Sequence, residues 1–393
     1  MQHTGKFYRI ALLFNANKVY DRQVVAGVGQ YLQASQCTWD IFMEDDFVYH
    51  KETIQRLSID GIIADFDDPE TAELLKNIDV PLVAVGGSYQ NPDFYPHFPY
   101  VATDNYALIE TAFLHLKQKG LNHFAFYGLP TENQQKHWAI ERENAFIHLM
   151  QKYAYPIRLY QGEQTNSQNW RTAQEKLIQW IQSLPQHTGI IAVTDARARH
   201  LLQACETARM AVPDQYCVIG IDNEEIIQYL SRISLSSVSQ GTKQIGYQAA
   251  KLLHHQLNHL PVSNKPLLIP PLGVEERNST DYLSLCDPLV IQAMHYIRQR
   301  ACQGIKVEQV LDHLRVSRSN LELRFKAEMN KTIHQIIHQE KMKRAIHLLR
   351  FSDIAITEIA EVCGYPSLQY FYSVFKKEQG NTPKAFRAYW QNK

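Results

Sequence analysis

The stretch Val307-Glu-Gln-Val-Leu-Asp-His-Leu-Arg-Val-Ser317 sets the organisation of the C-terminal part of the chain. A second stretch of the same pattern, Ile356-Thr-Glu-Ile-Ala-Glu-Val-Cys-Gly-Tyr-Pro-Ser367, begins 49 residues later. Apolar residues recur in both at i, i+3, i+4 and i+7, the spacing that predicts one buried helix face. Phe325 matches Phe375 at an offset of 50, so one residue, Pro366, is inserted in the second turn. Two copies of one supersecondary unit are the simplest interpretation.

Each copy is predicted to form a helix, a tight turn and a second helix. Ser317 and Ser367 stand where an N-cap residue is expected, because a serine hydroxyl can accept from the first unpaired amides of a helix. An apolar i, i+4 seam follows in both copies, formed by Leu321 with Phe325 and by Phe371 with Phe375. A long helix over about 332–350 is predicted to join the copies.

The remaining positions of each second helix are polar, which is the composition of a helix that enters the major groove of DNA. We expect the following residues to contact DNA: Arg318, Ser319, Glu322 and Lys326 in the first copy, and Gln369, Tyr370, Ser373, Lys376 and Lys377 in the second. Among them Gln369 has an amide that suits adenine, and Arg318 has a fork that suits guanine. The alternative is that these polar positions form an ordinary solvated helix face. That alternative explains one such helix better than it explains the same pattern in both repeats.

A family resemblance covers this part of the chain, from about 288 to 390. The second copy carries it, in the order Ile356-x2-Ile359-Ala360-x2-Cys363-Gly364-Tyr365, Ser367-x3-Phe371-x3-Phe375-Lys376-Lys377 and Gly380-x-Thr382-Pro383-x2-Phe386-Arg387. This pattern resembles the signature of the AraC/XylS family of DNA-binding domains almost position by position. Pro366 departs from it, where family members often carry a small or acidic residue. The resemblance implies an all-α C-terminal domain with two helix-turn-helix motifs.

Charge is distributed unevenly along the chain. All 393 residues together hold 40 Lys and Arg against 40 Asp and Glu, yet residues 286–393 hold 17 against 10, a net charge of +7. A basic C-terminal domain on an acidic body indicates a polyanionic partner for that domain alone. The six cysteines are scattered without CxxC pairs, which predicts free thiols, a reducing cytoplasm and no metal site. We expect neither a secretory signal nor a membrane span, because the sequence has no apolar run of either kind.

The first 270 or so residues alternate apolar strand patterns with amphipathic helix patterns. Strands are predicted at 8–14, 39–43, 61–64, 80–85, 100–103, 123–127, 189–194, 217–221 and 235–239. Strands that are apolar throughout and alternate with helices predict parallel sheets covered on both faces. The number of such cycles exceeds what one sheet usually takes, so we predict two α/β lobes.

Polar residues follow several of these strands, at the edge where ligands lie in parallel α/β sheets. They are Asn15, Asp65, Asp104, Asp195, Asp222 and Gln240. Carboxylates and amides that converge on one cleft would accept hydrogen bonds from a neutral polyol and would repel an anion. The alternative is that each Asp only caps the helix that follows its strand.

A predicted helix near residue 138 adds three residues to the candidate site. Trp138 offers a ring that can stack on the apolar face of a sugar, Glu141 an acid, and Arg142 a forked donor for two hydroxyls. Trp170 is a second candidate for the ring. Each aromatic side chain would also fit a core or a rim position.

Residues 9 to about 271 resemble the sugar-sensing domain of the LacI/GalR family and the related periplasmic sugar-binding proteins. The matching segments are Gly61-Ile-Ile-Ala-Asp65, Val101-Ala-Thr-Asp104-Asn105, Arg142, Ile191-Ala-Val-Thr-Asp195, Val218-Ile-Gly-Ile-Asp222-Asn223 and Ser236-Ser-Val-Ser-Gln240. By this resemblance, the expected ligand-contacting residues are Asp65, Asp104, Arg142, Asp195 and Asp222. Gln240 is expected at the hinge-side end of the site.

The order of the domains departs from the LacI/GalR family, which places its DNA-binding domain first. Here the sensor comes first, and Leu13-Phe-Asn-Ala-Asn-Lys18, Tyr20-Asp-Arg-Gln-Val-Val25 and Thr194-Asp-Ala-Arg-Ala-Arg-His200 resemble bacterial regulators of pentose operons. This resemblance implies D-xylose or a related pentose as effector, with Tyr20 in the sugar site and no further cofactor. It also implies a cytoplasmic activator that acts as a homodimer on promoter DNA and RNA polymerase.

We therefore predict a sugar-sensing domain at 1–275, a linker at 276–287 and an AraC-type DNA-binding domain at 288–393. An enzyme is not expected, because the sequence has no P-loop, GxSxG or HExxH motif. Gly27-Val-Gly29 lies in a helix pattern and lacks the third glycine of a dinucleotide fingerprint. The alternatives are a sugar-modifying enzyme with an appended DNA-binding domain, a regulator that senses another pentose, and a binding module without regulation.

Overall fold

A computed structural model of the chain describes residues 7–35, 37–43, 58–130, 136–283, 285 and 287–391. The chain divides into two units, Met1–Asp281 and Tyr282–Lys393. The first unit contains two six-stranded sheets, and the second is entirely helical over its described residues. Within those same residues, no helix is both long enough and apolar enough to cross a membrane.

Six strands form the sheet of the first lobe: β1 (Tyr8–Leu13), β2 (Trp39–Phe42), β3 (Gly61–Asp65), β4 (Leu82–Gly87), β5 (Tyr100–Thr103) and β11 (Leu267–Ile269). Their order is β11–β5–β4–β3–β1–β2, and every neighbouring pair is parallel. One face packs against the helices Val19–Ser35 and Thr242–Leu257, and the other against the helix Pro69–Leu75. The strands are apolar throughout because both faces are covered. A short 3-10 helix spans Pro92–Phe94.

The second lobe repeats this plan with β6 (His123–Tyr127), β7 (Leu159–Tyr160), β8 (Thr188–Ala192), β9 (Tyr216–Ile221), β10 (Ser236–Ser239) and β12 (Gly273–Glu275). The order is β12–β10–β9–β8–β6–β7, and only β12 is antiparallel to its neighbour. Its helices are Asn105–Gln118, His137–Lys152, Trp170–Ser183, Asp195–Thr207 and Glu225–Leu230. All nine predicted strands are present. The two-residue β7 and the three-residue β11 and β12 were not predicted, because such short edge strands carry no periodic signal.

The chain crosses between the lobes at three places. The first crossing is at Asp104, the second at Gln240 and Gly241, and the third between Ile269 and Gly273. A backbone hydrogen bond joins the first crossing to the third, from the Asp104 amide to the Ile269 carbonyl at 3.1 Å. The three crossings lie at the strand ends that face the other lobe, so they bound the space between the lobes.

The first part of the predicted linker, 276–287, groups with the first unit, which extends to Asp281. A 3-10 helix, Asn278–Thr280, packs against the second sheet, and Ser279 is fully buried there. The Ser279 hydroxyl donates to the Val218 carbonyl at 2.6 Å and accepts from the Ser236 amide at 2.8 Å. Small polar residues predict a linker by composition, yet here they complete the hydrogen bonding of a sheet edge.

The second unit contains seven α-helices among its described residues: Pro288–Arg300, Val307–Leu314, Arg318–Met329, Ile333–Phe351, Ile356–Val362, Leu368–Gln379 and Pro383–Gln391. The predicted N-caps are confirmed, since the Ser317 hydroxyl accepts from the Asn320 amide and the Ser367 hydroxyl from the Tyr370 amide. Both turns contain a left-handed residue, Arg315 at φ 55° and Gly364 at φ 70°. These two residues are 49 apart, so the repeat extends to backbone conformation.

One helix supplies both cores of the second unit. Ile333, Ile336 and Ile337, near the start of Ile333–Phe351, pack with the first repeat. Met342, Ala345 and Leu349, near its end, pack with the second. The apolar seams predicted for the recognition helices are buried, because Leu321, Phe325, Phe371 and Phe375 have no exposed surface. The linking helix therefore holds both repeats in place.

Two glycines allow the closest helix contact of the first lobe. A Cβ on Gly27, in the helix Val19–Ser35, would overlap the carbonyl oxygen of Lys243 in the facing helix. A Cβ on Gly246 would overlap the carbonyl oxygen of Val24 in return. The contacted atoms belong to the backbone, so they cannot move aside as a flexible side chain could. The two helices can therefore pack this closely only if both positions are glycine.

We expect Gly27→Ala to destabilise the protein by about 1–3 kcal/mol, because the added methyl group forces the helices apart. Gly29→Ala is the matched control, since it lies in the same helix and a Cβ there would meet nothing within 4 Å. That control should stabilise by up to about 1 kcal/mol through its higher helix propensity. Urea denaturation of both variants measures the difference. Equal stabilities would contradict the proposed contact.

Candidate functional site

A cavity of about 390 Å³ lies between the two lobes, at the carboxyl ends of their parallel strands. Strand ends of this kind are the usual ligand site of α/β sheets. Its lining includes five acidic residues, Asp21, Asp65, Asp67, Asp222 and Glu224. It also includes three basic residues, Lys18, Lys136 and Arg142. The other lining residues are Asn17, Val19, Tyr20, Gln23, Gly87, Thr103, Asn105, Trp138, Thr194, Gln240 and Thr242.

The first lobe contributes an ion pair to the floor of the cavity. Lys18 Nζ lies 2.7 Å from Asp65 Oδ2, and the Asp65 side chain is almost completely buried. The Tyr20 hydroxyl lies 3.0 Å from Thr103 Oγ1. Burial, together with the nearby carboxylates, raises the pKa of Tyr20 well above its usual value, so this hydroxyl stays neutral. The pair and the two hydroxyls are fixed donors and acceptors on one wall.

Two further aspartates of this lobe were not predicted from sequence. The Gly87 amide donates to both carboxylate oxygens of Asp67 at 3.0 Å. Asp21 accepts from the Asn15 amide at 2.7 Å. Burial, and then the charge of Asp65, raises the pKa of each of these carboxyls to about 7.

Arg142 dominates the wall contributed by the second lobe. It is buried, its Nε donates to Asn105 Oδ1 at 3.1 Å, and its Nη1 donates to the Val193 carbonyl at 2.7 Å. The guanidinium also lies 3.8 Å from Asp222 Oδ1 and 4.8 Å from the ring centroid of Trp138. Burial lowers the pKa of Arg142, and the charge of Asp222 opposes that effect. The sequence correctly predicted that this forked donor reaches the cavity.

Asp222 occupies a backbone conformation that non-glycine residues rarely adopt, with φ at 117°, and Asn223 follows at φ 51°. The Gln240 amide donates to Asp222 Oδ1 at 2.5 Å. Burial raises the pKa of Asp222 to about 6, against the opposing charge of Arg142. Strained backbone of this kind persists only where surrounding contacts fix it, and it concentrates at functional sites.

Three predicted sugar ligands lie outside the lining of the cavity. Asp104 caps the helix Asn105–Gln118, where its Oδ1 accepts from the Ala107 amide at 2.9 Å. Glu141 is half-buried and accepts from the Gln90 amide at 3.1 Å. Asp195 is fully buried behind the cavity, where it accepts from the Ser237 hydroxyl at 2.6 Å and from the Glu224 amide at 2.8 Å.

Asp104, Glu141 and Asp195 therefore use carboxylate oxygens within the fold, and their direct contact with the sugar stays a prediction. The other five predicted residues all line the cavity: Tyr20, Asp65, Trp138, Arg142 and Asp222. Trp170, the second aromatic candidate, packs edge-on against His200, with 5.7 Å between the ring centroids. It does not line the cavity. Within the described ranges, no group of His, Cys, Asp or Glu is arranged to hold a metal ion.

The recognition helices of the second unit present most of the predicted DNA-contacting residues to solvent. Eight are exposed: Arg318, Ser319, Lys326, Gln369, Tyr370, Ser373, Lys376 and Lys377. Glu322 is the exception, because its Oε2 accepts from the Ile333 amide at 3.3 Å, at the start of the linking helix. The carboxylate of Glu322 is therefore engaged within the unit, and its contact with DNA stays a prediction. Arg318 lies 3.4 Å from Glu308, but both side chains are largely exposed, so that pair is weak.

A two-lobed α/β domain with a polar interlobe cavity, followed by a double helix-turn-helix domain, defines a sensor joined to a DNA-binding module. Family models match the same parts of the chain. An XylR N-terminal domain matches residues 9–106, a periplasmic binding protein-like domain 113–280, and a helix-turn-helix domain 310–389. The fold class predicted from the sequence is confirmed.

Known relatives match nearly the whole chain. The xylose operon regulatory protein of Haemophilus influenzae is 70% identical over 98% of this chain and 99% of its own length. That of Escherichia coli K12 is 59% identical over 97% of each. The chain belongs to this family of xylose operon regulatory proteins, which are regulators and not enzymes.

Solved structures agree with this assignment. A structure described as the xylose-binding transcription activator xylR is 58% identical, with a TM-score of 0.85 over 98% of both chains. A structure of the regulator CelR with cellobiose, at 18% identity and a TM-score of 0.55, covers 69% of this chain and 84% of its own. At that identity the likeness concerns the fold alone.

Asp67 should make the stability of the first unit depend on pH. An unfolded aspartate ionises near pH 4, whereas burial raises the pKa of Asp67 to about 7. Between these values the folded state binds more protons, so this contribution to stability falls as the pH rises. We expect Asp67→Asn to stabilise the protein at pH 8, on the order of 1 kcal/mol, and by less as the pH falls toward 4.

Thermal melting without sugar, at pH 5 to 8, measures this effect. The exposed Asp93→Asn removes the same charge from the same lobe and should follow the wild-type profile. An Asp67→Asn profile parallel to that of the wild type would exclude Asp67 as the source.

Proposed function

We propose that this protein is a D-xylose-responsive activator of transcription, in which the interlobe cavity binds the sugar and the C-terminal unit binds promoter DNA. The observation that carries this proposal is a cavity with hydrogen-bonding groups on both walls, in a chain 70% identical to a xylose operon regulatory protein. The solved relative described as xylose-binding, at 58% identity, supports the choice of sugar.

The cavity suits a small neutral sugar by its charge and its size. Acidic side chains outnumber basic ones in the lining, so a sugar acid or a sugar phosphate would be repelled. Asp222 and Asp65 offer carboxylate acceptors, and Arg142 offers a forked donor, which are strong partners for hydroxyl groups. Trp138 places an indole ring beside these groups, for the apolar face of the sugar. A volume of about 390 Å³ is at the small end of ligand sites.

Sugar binding would favour the closed arrangement of the two lobes. Lys18, Tyr20 and Asp65 belong to one wall, and Arg142 and Asp222 belong to the other. A ligand that contacts both walls binds most tightly when they are close together, and so it shifts the lobes toward closure. The crossings at Asp104 and Gln240 are the segments about which such a movement would turn.

The second unit would read DNA with the helices Arg318–Met329 and Leu368–Gln379. The linking helix has 19 residues, about 28 Å at the usual rise, which suits two major-groove segments one turn of DNA apart. Gln369 would pair with adenine and Arg318 with guanine, whereas Lys376 and Lys377 would contact phosphate groups. Such a regulator would work in the cytoplasm, as a homodimer that contacts RNA polymerase.

The sugar site is tested with a matched pair of aspartates. We expect Asp222→Asn to weaken D-xylose binding about tenfold or more, because a charge-assisted hydrogen bond is lost from the cavity. Asp104→Asn changes the same group outside the lining and should leave the affinity unchanged. Titration calorimetry of both variants with pentoses and hexoses measures the effect. Equal affinities, or no binding of D-xylose by the wild type, would refute the proposed site.

DNA reading is tested by separating base contacts from phosphate contacts. Gln369→Ala should weaken the binding free energy on the preferred site by about 1–3 kcal/mol and relax the preference at one base position. Lys377→Ala should weaken binding to all sequences alike and lower the salt dependence by about one ion. Binding to randomised duplexes at several salt concentrations distinguishes the two. A uniform loss for Gln369→Ala would show that this helix is oriented differently on DNA.

A further inference from the structure

The recognition helix Arg318–Met329 carries a large apolar side chain on its outer surface. Leu323 is 70% exposed, although Leu321 and Phe325 of the same helix are fully buried. It lies four residues after Ser319 and three before Lys326, and all three side chains are exposed. Residues at these spacings share one face of a helix. That face therefore consists of a leucine between a hydroxyl and a cation.

The other sides of this helix are engaged with the protein itself. Glu322 accepts from the Ile333 amide at 3.3 Å. Arg324 donates to Asp287 Oδ2 at 2.5 Å and to Asn320 Oδ1 at 2.8 Å. These contacts fix the rotation of the helix about its axis. The face that contains Leu323 is consequently the one that the helix presents outward.

The fold does not require a leucine at this position. By the offset of 50 that relates the two recognition helices, Leu323 corresponds to Ser373, which is also exposed. Both helices bury the same seam, so the scaffold accepts a polar residue at this position equally well. The leucine thus has no packing role that its counterpart lacks.

We propose that Leu323 determines specificity by packing against the C5-methyl group of a thymine in the major groove. This inference rests on the DNA-binding function proposed above. The thymine methyl is the apolar group that base edges expose in that groove. A leucine beside Lys326, in a region of net charge +7, suits a polyanion that carries a local apolar group. The two repeats then read DNA differently, because the first adds an apolar contact to the hydrogen bonds of Arg318. The second relies on the hydrogen bonds of Gln369 and Ser373.

The test replaces single thymines with deoxyuridine, which removes only the methyl group. A site is first selected from randomised duplexes by the wild-type protein, and each thymine is then replaced in turn. We expect one replacement to weaken wild-type binding about three- to fivefold, the effect of burying one methyl group. Leu323→Ala should weaken binding to the thymine site by a similar factor and show no further loss on the deoxyuridine site.

Ser373→Ala is the control, because it alters the matching exposed position of the second helix and should keep the full deoxyuridine effect. Leu323→Met, which retains an apolar side chain, should keep part of it. The inference is overturned if the effects of Leu323→Ala and of deoxyuridine simply multiply at every position. It is also overturned if the variant keeps the wild-type DNA profile and loses self-association instead, since Leu323 would then face a second copy.

Failure of this inference is distinguishable from failure of the proposed function. Wild-type binding that depends on salt and prefers one sequence, without coupling to Leu323, would exclude the thymine contact alone. Absence of any sequence preference in the wild type would overturn both. Thermal melting checks that Leu323→Ala remains folded, as expected for a side chain that is 70% exposed.

Discussion

The carboxylate of Asp195 fixes the turn on which the sugar-facing wall of the second lobe depends. It accepts from the Glu224 amide, directly after the strained residues Asp222 and Asn223. It also accepts from the Ser237 hydroxyl, which in turn accepts from the Asn223 amide. A Cβ on Gly220 would overlap Asp195 Oδ1, so the strand beneath must leave space for this carboxylate. Burial, and then the charge of Asp222, raises the pKa of Asp195 well above its usual range. Burial of the Asp195 carboxyl therefore costs solvation free energy. Its hydrogen bonds hold the strained turn that places Asp222 in the cavity.

The sequence predicted the two lobes, the double helix-turn-helix domain and most of the exposed recognition residues, because these follow from local patterns. Apolar strands, serine caps and a repeat at offsets of 49 and 50 are visible without tertiary information. The direction of a single side chain is different. Asp104 and Asp222 both follow a strand, yet one caps a helix and the other lines the cavity. Only the backbone turn after each strand distinguishes them, and a pattern of residue types does not specify it.

The cavity residues Lys18 and Asp67 were not predicted from the sequence, and the reason is the same for both. Lys18 and Asp67 are charged residues in short turns, where a solvated side chain is the ordinary expectation. They line the cavity because Lys18 forms an ion pair with Asp65, and Asp67 accepts from the amide of Gly87, at the end of β4. The hydrogen bond of Glu322 was missed for the converse reason, since its partner, the Ile333 amide, lies beyond the turn that follows its own helix. Contacts of this kind depend on where elements meet.

The crossings between the lobes also determine the order in which the sensor can be completed during synthesis. The second lobe draws five of its six strands, β6 to β10, from one continuous segment, so most of it emerges from the ribosome together. The first lobe still lacks the helix Thr242–Leu257 and the strand β11 at that stage. One face of its sheet stays uncovered until the helix Thr242–Leu257 has been synthesised and Gly246 packs against Gly27. A ribosome paused within the second lobe would therefore expose an apolar surface that belongs to the first, and chaperones that recognise such surfaces would have their longest opportunity there.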